Sequence, residues 1–328
     1  MKDIYILAIE TSCDETSASI IKNGNVEIHT IVLSQIDTHK LYGGVVPEIA
    51  SRMHIESITL VLEELLNKSN MTFKDIDFIS VTNGPGLIGS LLIGLQAAKT
   101  LSFIHDIPLI PINHIHGHIY ANRFAGDFKF PLISLVISGG HTDIIYMDKD
   151  YSFKKIGSTK DDAVGETYDK VARIMGLPYP GGPLLDKLAQ SGNPIYKLPI
   201  PLDDDSYDFS FSGLKTAVKN MYNENIKKED LAASFQDVVA NIITKKTMRA
   251  VKKYNVKQLL ISGGVAANSK IRNKFKELCE KENIELLIPS IRYCTDNAAM
   301  IGAAAYYRYK NDNLSQMNSS AFSTTDKK

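Results

Sequence analysis

The chain has 328 residues, which is enough for two domains of ordinary size. Hydrophobic residues make up 44% of it and charged residues 23%, a balance that excludes wholesale disorder and a fibrous repeat. Lysine and arginine together number 37, as do aspartate and glutamate, so no overall field attracts nucleic acid or an anionic membrane, and such binding needs a local patch.

The cysteines and the apolar stretches bear on the compartment of the protein. Its three cysteines, Cys13, Cys279 and Cys294, are too scattered for a disulfide framework or a CxxC metal site, and they fit a reducing compartment. The longest apolar stretch, Leu87–Ala98, is too short to cross about 30 Å of hydrocarbon. Since Met1–Glu10 also lacks the features of a secretory signal, we expect a soluble cytoplasmic protein with no membrane association.

The first half of the chain predicts a strand meander, two helices and one more strand. Continuous or alternating apolar runs indicate the strands, and apolar residues three and four positions apart indicate the helices. The strands are at Ile4–Ile9, Ser17–Ile21, Val26–Leu33 and Phe78–Thr82, and the helices are at Glu48–Leu66 and Gly89–Ser102.

The second half predicts a similar order of elements. Its strands are at Leu132–Ser138, Asp143–Met147, Phe153–Gly157 and Gln258–Ile261, and its helices are at Ala163–Met175, Leu184–Ala189, Asp230–Tyr254, Lys270–Lys281 and Asp296–Tyr309. The repetition predicts a duplicated α/β unit, with a Rossmann-like pair of domains without internal symmetry as the alternative. Because small residues let helices approach closely, we expect the helices at 89–102 and 296–309 to cross between the halves.

A histidine cluster within Asn113–Ala121 offers a metal site. If Asn113 caps a helix, His114 and His118 lie four positions apart on one face, where both rings can reach one cation. The spacing supplies no third ligand, so a distant Asp or Glu must complete the site. Histidine pairs with this spacing also occur by chance on exposed helices, and the pair alone leaves metal binding open.

Several loops have the composition of anion-binding turns. Thr11–Thr16, Ser138–Thr142 and Ser262–Val265 each follow an apolar strand, and the last two pair a serine with Gly-Gly, so that backbone N–H groups can approach a phosphate. Gly181 and Gly182 offer the same permissive backbone. The absence of GxGxxG and GxxxxGK[ST] from the sequence argues against dinucleotide dehydrogenases and P-loop NTPases.

Carboxylates adjoin two of these loops. A carboxylate beside a phosphate is unfavourable unless it binds a cation or a ribose hydroxyl, or acts as a base. We therefore expect a functional role for Asp14 and Asp169, whereas Asp161 and Asp162 fit solvated carboxylates at a helix start.

Ten short blocks of the sequence occur in the same order in one known family, and the match runs from about Ile4 to Tyr309. They are IETSCDET, YGGVVPEIASRMH, NGPGLIGSLLIGL, HIHGH, LVISGGHT, DDAVGETYDK, YPGGPLLD, FSFSGLKTA, SGGVAAN and CTDNAAMIGAAA. By these blocks the chain resembles the TsaD family of tRNA threonylcarbamoyladenosine transferases, whose members were once described as O-sialoglycoprotein endopeptidases. The blocks YGGVVPEIASRMH and HIHGH look most like the bacterial or organellar branch of that family.

The resemblance implies an α/β fold of two duplicated lobes, the actin-like, sugar-kinase-like and Hsp70-like ATPase fold, with a nucleotide in the cleft between the lobes. The N-terminal lobe would comprise residues 1–125 and be closed by the C-terminal helix at 296–309. Residues 126–295 would form the C-terminal lobe, and we expect the polar residues 310–328 to be a disordered tail.

The resemblance also implies the functional residues. Its metal ligands fall on His114, His118 and Asp296, a donor set that suits iron(II), which we expect first, or zinc(II). Contacts to an adenine nucleotide, either ATP or threonylcarbamoyl-AMP, fall on Val136, Ile137, Ser138, Gly139, Gly140, Asp169, Gly182, Asp186 and Asn268.

The implied activity is a metal-dependent acyl transfer. The threonylcarbamoyl group would move from threonylcarbamoyl-AMP to the exocyclic amine of the adenosine 3′ of the anticodon, in tRNAs that read codons beginning with A. Asp14 and Glu10 are the catalytic candidates, and Asp14 is our candidate for accepting the amine proton. The implied partners are tRNA, a paralogous inactive subunit and a small ATPase, with docking expected through helices of the N-terminal lobe.

A basic segment of the chain bears on tRNA binding. Lys245, Lys246, Arg249, Lys252 and Lys253 fit one helix face, which is either a patch for a polyanion or a solvated surface.

Rival functions follow from the same residues. A small-molecule O-carbamoyltransferase or kinase of the same fold would use a small alcohol, and a non-catalytic nucleotide-binding scaffold would transfer nothing. A zinc peptidase is disfavoured because HIHGH lacks the glutamate of HExxH, and a serine hydrolase because no GxSxG is present.

Overall fold

The computed structural model of the chain describes residues 2–311 and 320–323. Within them, ten strands form two five-stranded sheets. The strands are β1 Tyr5–Glu10, β2 Glu15–Lys22, β3 Val26–Ser34, β4 Phe78–Gly84, β5 Leu109–Asn113, β6 Leu132–Ile137, β7 Thr142–Met147, β8 Lys154–Ser158, β9 Gln258–Ser262 and β10 Glu285–Leu287.

The helices lie between and after these strands. They are α1 Ile36–Lys40, α2 Pro47–Ser69, α3 Ile88–His105, α4 His114–Tyr120, α5 Val164–Ile174, α6 Gly181–Ala189, α7 Ser212–Met221, α8 Lys228–Lys253, α9 Ser269–Glu282 and α10 Ala298–Lys310. The chain divides into two compact units, one of residues 1–126 with 289–328 and the other of residues 127–288.

The two sheets have the same topology. Their strand orders are β3-β2-β1-β4-β5 and β10-β9-β6-β7-β8. In each, three antiparallel strands form a meander. A fourth strand pairs in parallel with the first strand of the meander, and the fifth pairs in parallel with the fourth. The prediction of a duplicated α/β unit is confirmed, and the alternative without internal symmetry is wrong.

Asparagine caps begin three of the helices. The Asn113 side chain accepts hydrogen bonds from the backbone N–H groups of Ile115 and His116 at the start of α4. Asn268 and Asn297 cap α9 and α10 in the same way. Each cap satisfies backbone donors that the first helical turn leaves without partners, and so it fixes where the helix begins.

The small residues of α10 serve packing of a helix on a sheet. A Cβ at Gly302 would lie 2.6 Å from Cγ1 of Ile21, so only glycine lets the helix approach β2 this closely. Helix α10 packs against β1, β2 and α4, whereas α3 packs against α2 and β4. Both helices belong to the same unit, and the expectation that they cross between the halves is wrong.

Most of the predicted tail, residues 312–319 and 324–328, lies outside the described residues. In the part that is described, the backbone N–H of Phe322 donates to the carbonyl oxygen of Asn83 at 3.0 Å, so this short segment packs against the end of β4. Among the described residues, no helix combines the length and the apolar character needed to cross a bilayer.

Candidate functional site

Helix α4 presents two buried histidines to one carboxylate. The Asn113 cap starts the helix directly after β5, so that His114 and His118 are one turn apart, with ring centroids separated by 4.6 Å. Asp296 lies just before α10, and its Oδ1 is 3.2 Å from Nε2 of His118 and 3.5 Å from Nε2 of His114. The candidate ligand atoms of these three residues all lie within 4.8 Å of one another.

The chemistry of this triad fits a divalent cation. His118 is fully buried, and its Nδ1 has no hydrogen-bond partner among the described residues. Two imidazole nitrogens and one carboxylate oxygen are a donor set that suits iron(II) or zinc(II). Buried imidazoles that find no protein partner are costly unless a ligand satisfies them.

Electrostatics around the triad also favour a cation. Burial lowers the pKa of His118. Burial also acts to lower the pKa of His114, but the carboxylates of Asp296 and Glu10 outweigh it and raise this pKa to about 9. Burial, followed by the neighbouring carboxylates of Asp14 and Asp296, raises the pKa of Glu15 to about 10. A bound cation would offset this crowding of negative charge.

Of the two catalytic candidates, Glu10 is fully buried at the end of β1. One carboxylate oxygen accepts the backbone N–H of Ser12 at 2.6 Å, and the other accepts the hydroxyl of Thr82 and lies 3.3 Å from Nδ1 of His114. Asp14 lies in the turn between β1 and β2, and its side chain is 6% exposed. Glu15, which follows it at the start of β2, is close enough to Asp14 and Asp296 to interact with their charges, and its only sequence signal is the pair of adjacent acids.

In the second unit, the turn after β6 keeps an open edge. The backbone N–H of Ser138 donates to the carbonyl oxygen of His141, and the backbone N–H of His141 donates to the Ser138 hydroxyl. A Cβ added at Gly139 or Gly140 would meet no atom within 4 Å, which leaves space beside that backbone.

Two features of the surrounding structure support this turn. A Cβ at Gly165 would lie 2.6 Å from the Ser138 carbonyl oxygen, so the start of α5 can pack on the turn only with glycine there. Val136 and Ile137, which precede the turn, are fully buried in β6.

Two predicted nucleotide contacts, Asp169 and Gly182, meet at the start of α6. One carboxylate oxygen of Asp169 accepts the backbone N–H groups of Gly181 at 2.8 Å and Gly182 at 3.2 Å. Burial raises the pKa of Asp169 despite these two donors. The carboxylate thus holds the glycine turn in one conformation.

Two further predicted contacts, Asp186 and Asn268, are joined by a residue that the sequence analysis did not identify. The Gln236 side chain donates to Oδ1 of Asp186 at 2.8 Å and accepts from the amide of Asn268 at 3.2 Å. Ser269 donates to Asp186 through both its backbone N–H and its hydroxyl. Gln236 lies on α8, where no motif distinguishes it from other helical residues.

The basic face of α8 is paired with acidic side chains. Lys245 bonds Asp203 at 2.6 Å, and Lys246 bonds Asp204 at 2.8 Å. Further along the helix, Arg249 lies 3.4 Å from Asp205, and Lys252 bonds Glu282 at 2.8 Å. Lys246 is buried, so it does not share one solvated face with the other cations, and Lys245, Arg249 and Lys252 fit a charge-balanced surface.

Comparison with known proteins gives consistent matches. The family model described as "tRNA N6-adenosine threonylcarbamoyltransferase" matches residues 27–303. Curated relatives with that same name include proteins of Staphylococcus haemolyticus, 57% identical over 94% of this chain and 92% of the relative, and Bacillus cereus, with the same values. A third, from Staphylococcus carnosus, is 53% identical over 99% of this chain and 97% of its own length.

Solved structures show the fold. Component A of (R)-2-hydroxyglutaryl-CoA dehydratase from Acidaminococcus fermentans matches with a TM-score of 0.57 at 17% identity, over 94% of this chain and 99% of that chain. HypF from T. kodakarensis matches with a TM-score of 0.66 at 14% identity, over 97% of this chain and 49% of that chain. With the duplicated sheets, these matches confirm the predicted actin-like ATPase fold.

Proposed function

Because this chain belongs to the TsaD family of tRNA N6-adenosine threonylcarbamoyltransferases, we propose that it transfers a threonylcarbamoyl group from threonylcarbamoyl-AMP to tRNA. The acceptor is the exocyclic N6 amine of the adenosine 3′ of the anticodon, in tRNAs that read codons beginning with A. The observation that carries the proposal is the convergence of His114, His118 and Asp296 in a chain of this family.

The triad would hold one divalent cation, iron(II) or zinc(II). Such a cation supplies a Lewis acid that can anchor an oxygen of the donor and stabilise negative charge as it develops in acyl transfer. The protein contributes by holding the three ligand atoms within reach of one point. Both histidines are on the short helix α4, and Asp296 directly precedes Asn297, the residue that caps α10.

The second unit supports binding of the adenylate. The backbone at Gly139 and Gly140 borders open space, which suits approach of a phosphate to backbone N–H groups. Asp169 and Asp186 are held in place by backbone and side-chain donors, and carboxylates in such positions can accept ribose hydroxyls.

The proposed reaction is a substitution at the carbamoyl carbon. The N6 amine of the adenosine attacks that carbon, a C–N bond forms, the bond from the carbon to the phosphate oxygen breaks, and AMP leaves. Asp14, our candidate for the proton acceptor, takes the proton that N6 loses.

Reconstitution with a pre-formed donor tests this function. The purified chain, with its partner subunits, is incubated with threonylcarbamoyl-AMP and an unmodified tRNA transcript, and the nucleosides are analysed by mass spectrometry. We expect the modified adenosine with the wild-type chain and none with a transcript that has guanosine at the target position. Carbamoylation of a small alcohol with unmodified tRNA would instead identify a small-molecule O-carbamoyltransferase.

We also propose a paralogous inactive subunit and a small ATPase as protein partners, in the cytoplasm where the tRNA is. Helices α2 and α3 pack together and leave large apolar side chains exposed, among them Leu60 on α2 and Phe103 on α3. Exposed apolar residues on adjacent helices are typical of subunit interfaces. If the Phe103→Glu variant no longer co-elutes with the paralogous subunit while its melting temperature is unchanged, the result would support this surface as the docking site.

A further inference from the structure

Glu10 contacts the first histidine of the triad from the side opposite to Asp296. Its Oε2 is 3.3 Å from Nδ1 of His114, and the Ser12 hydroxyl is 3.1 Å from the same nitrogen. Nε2 of His114 faces Asp296. The imidazole is therefore held between two carboxylates, one on each ring nitrogen.

This contact selects one tautomer of His114. A carboxylate can only accept a hydrogen bond, so the favourable contact requires a proton on Nδ1. In the neutral ring the proton on Nδ1 leaves the lone pair on Nε2, which is the nitrogen that faces Asp296.

The position of Glu10 is fixed by the fold. The parallel pairing of β1 with β4 matches Ile9 with Val81, so the next residues along, Glu10 and Thr82, are adjacent and the Thr82 hydroxyl donates to the Glu10 carboxylate. The Ser12 backbone N–H donates to the other oxygen. With no exposed surface, the carboxylate is out of reach of a substrate.

We propose that Glu10 is a positioning residue, which accepts a hydrogen bond from the protonated Nδ1 of His114 and so holds the ring with Nε2 directed at the cation. The inference rests on the proposed function, because it concerns the cation that the triad would hold. Glu10 thereby differs from Asp14, which is our candidate for accepting the proton of the amine. The negative charges of Glu10 and Asp296 together would balance a divalent cation beside two neutral imidazoles.

The affinity of the metal-free protein for Co²⁺ tests this role without a transfer assay. Full-length protein is stripped with a chelator and titrated with Co²⁺, whose absorption spectrum reports both affinity and coordination. We expect Glu10→Gln, which keeps the side-chain shape, to weaken Co²⁺ binding by about 10- to 100-fold, since partners behind metal-bound histidines typically contribute that much. Ser12→Ala, which removes the other contact to Nδ1, should weaken it less.

Thr82→Val is the matched control. It removes a hydrogen bond to the same carboxylate but leaves the contact between Glu10 and His114 in place, so its affinity for Co²⁺ should stay close to that of wild type. An equal loss in Thr82→Val and Glu10→Gln would show that general loosening of the pocket is responsible and would overturn the proposal. If Glu10→Gln does not fold, Glu10→Asp replaces it, because the shorter side chain draws the carboxylate away from Nδ1 of His114. An affinity of Glu10→Asp for Co²⁺ equal to that of wild type would then overturn the proposal, and a weakened affinity with Thr82→Val unaffected would support it.

The same titration separates this proposal from the metal site itself. If His114→Ala loses Co²⁺ binding while Glu10→Gln binds as tightly as wild type, the metal site stands and the role of Glu10 is wrong. If His114→Ala binds Co²⁺ as tightly as wild type, the metal site that the proposed function requires is wrong.

Discussion

Asp169 organises the glycine turn at the start of α6 through a single carboxylate oxygen. Because that oxygen accepts two backbone N–H groups, Asp169→Ala would leave both donors without a partner at a partly buried site. An unsatisfied buried donor costs about 1–3 kcal/mol, and the turn would shift to avoid it.

We therefore expect Asp169→Ala to weaken adenylate binding at least tenfold, as measured by calorimetry with AMP. Asp169→Asn keeps an acceptor oxygen in the same place and should lose much less. Equal affinities in Asp169→Ala and the wild-type chain would show that this carboxylate does not shape the nucleotide site.

Single residues differ in how far the sequence can predict them. His114 and His118 are predictable because the spacing and the Asn113 cap are both local. Asp296 lies far away in the chain, and only the family resemblance connects it to the histidines. The burial of Glu10 depends on the pairing of β1 with β4, which no local pattern reveals.

At the scale of elements, a neutral histidine joins α2 to the turn between β1 and β2. Nε2 of His54 lies 2.9 Å from the carbonyl oxygen of Cys13 and therefore carries the proton, and Nδ1 lies 2.7 Å from the Thr16 hydroxyl and accepts from it. Burial lowers the pKa of His54. Protonation in the folded state would break this arrangement.

This network predicts a pH dependence of stability. Below the ordinary histidine pKa of about 6.5, the unfolded chain binds a proton that the folded His54 resists. Its contribution to stability is therefore complete above that pH and is lost as the pH falls toward the folded-state pKa. In urea unfolding at pH 7.5 and 5.5, we expect His54→Gln to lose less stability between the two pH values than wild type does. An identical loss in both proteins would contradict this role.

Elements with strong local signals were predictable, including the edge strands β3 and β8, whereas the edge strands β5 and β10 were missed. Predicted helices at 48–66 and 230–254 correspond to α2 and α8, whose ends differ by a few residues. Strand β5 was missed because Pro111 interrupts the strand signal, and proline is tolerated there since β5 lies at a sheet edge. Strand β10, at an edge of the second sheet, has only three residues, too few for a pattern to show.

At the scale of the whole molecule, charge balance limits how tightly the chain alone holds tRNA. The net charge is zero, and four cations along α8, namely Lys245, Lys246, Arg249 and Lys252, have acidic partners. Binding of a polyanion releases counterions in proportion to the phosphates neutralised, so cations that are already paired with acids favour weak binding with a shallow salt dependence.

We expect Lys245→Ala and Lys252→Ala to change tRNA affinity by less than about twofold and to leave the slope of log Kd against log salt unchanged. Filter binding across a salt series measures both quantities. A slope shallower by about one in either variant would show that the lysine contacts a phosphate and that the face of α8 is part of the tRNA site.

The duplication is a whole-molecule property that the order of strands and helices in the sequence already indicates. The sequence could not show which helix packs on which sheet, because Gly302 and the alanines of α10 permit close approach to either a helix or a sheet. Tertiary packing places α10 against both, namely the strands β1 and β2 and the helix α4.

The central claim is that His114, His118 and Asp296 hold one cation that tRNA threonylcarbamoylation requires. The most direct measurement is the transfer rate of chelator-stripped protein, supplied with threonylcarbamoyl-AMP and tRNA, as iron(II) or zinc(II) is added stepwise. We predict that the rate of the wild-type chain rises until one equivalent per chain is present, and that His118→Ala stays inactive throughout. Full activity of the stripped protein, or of His118→Ala, would contradict the account.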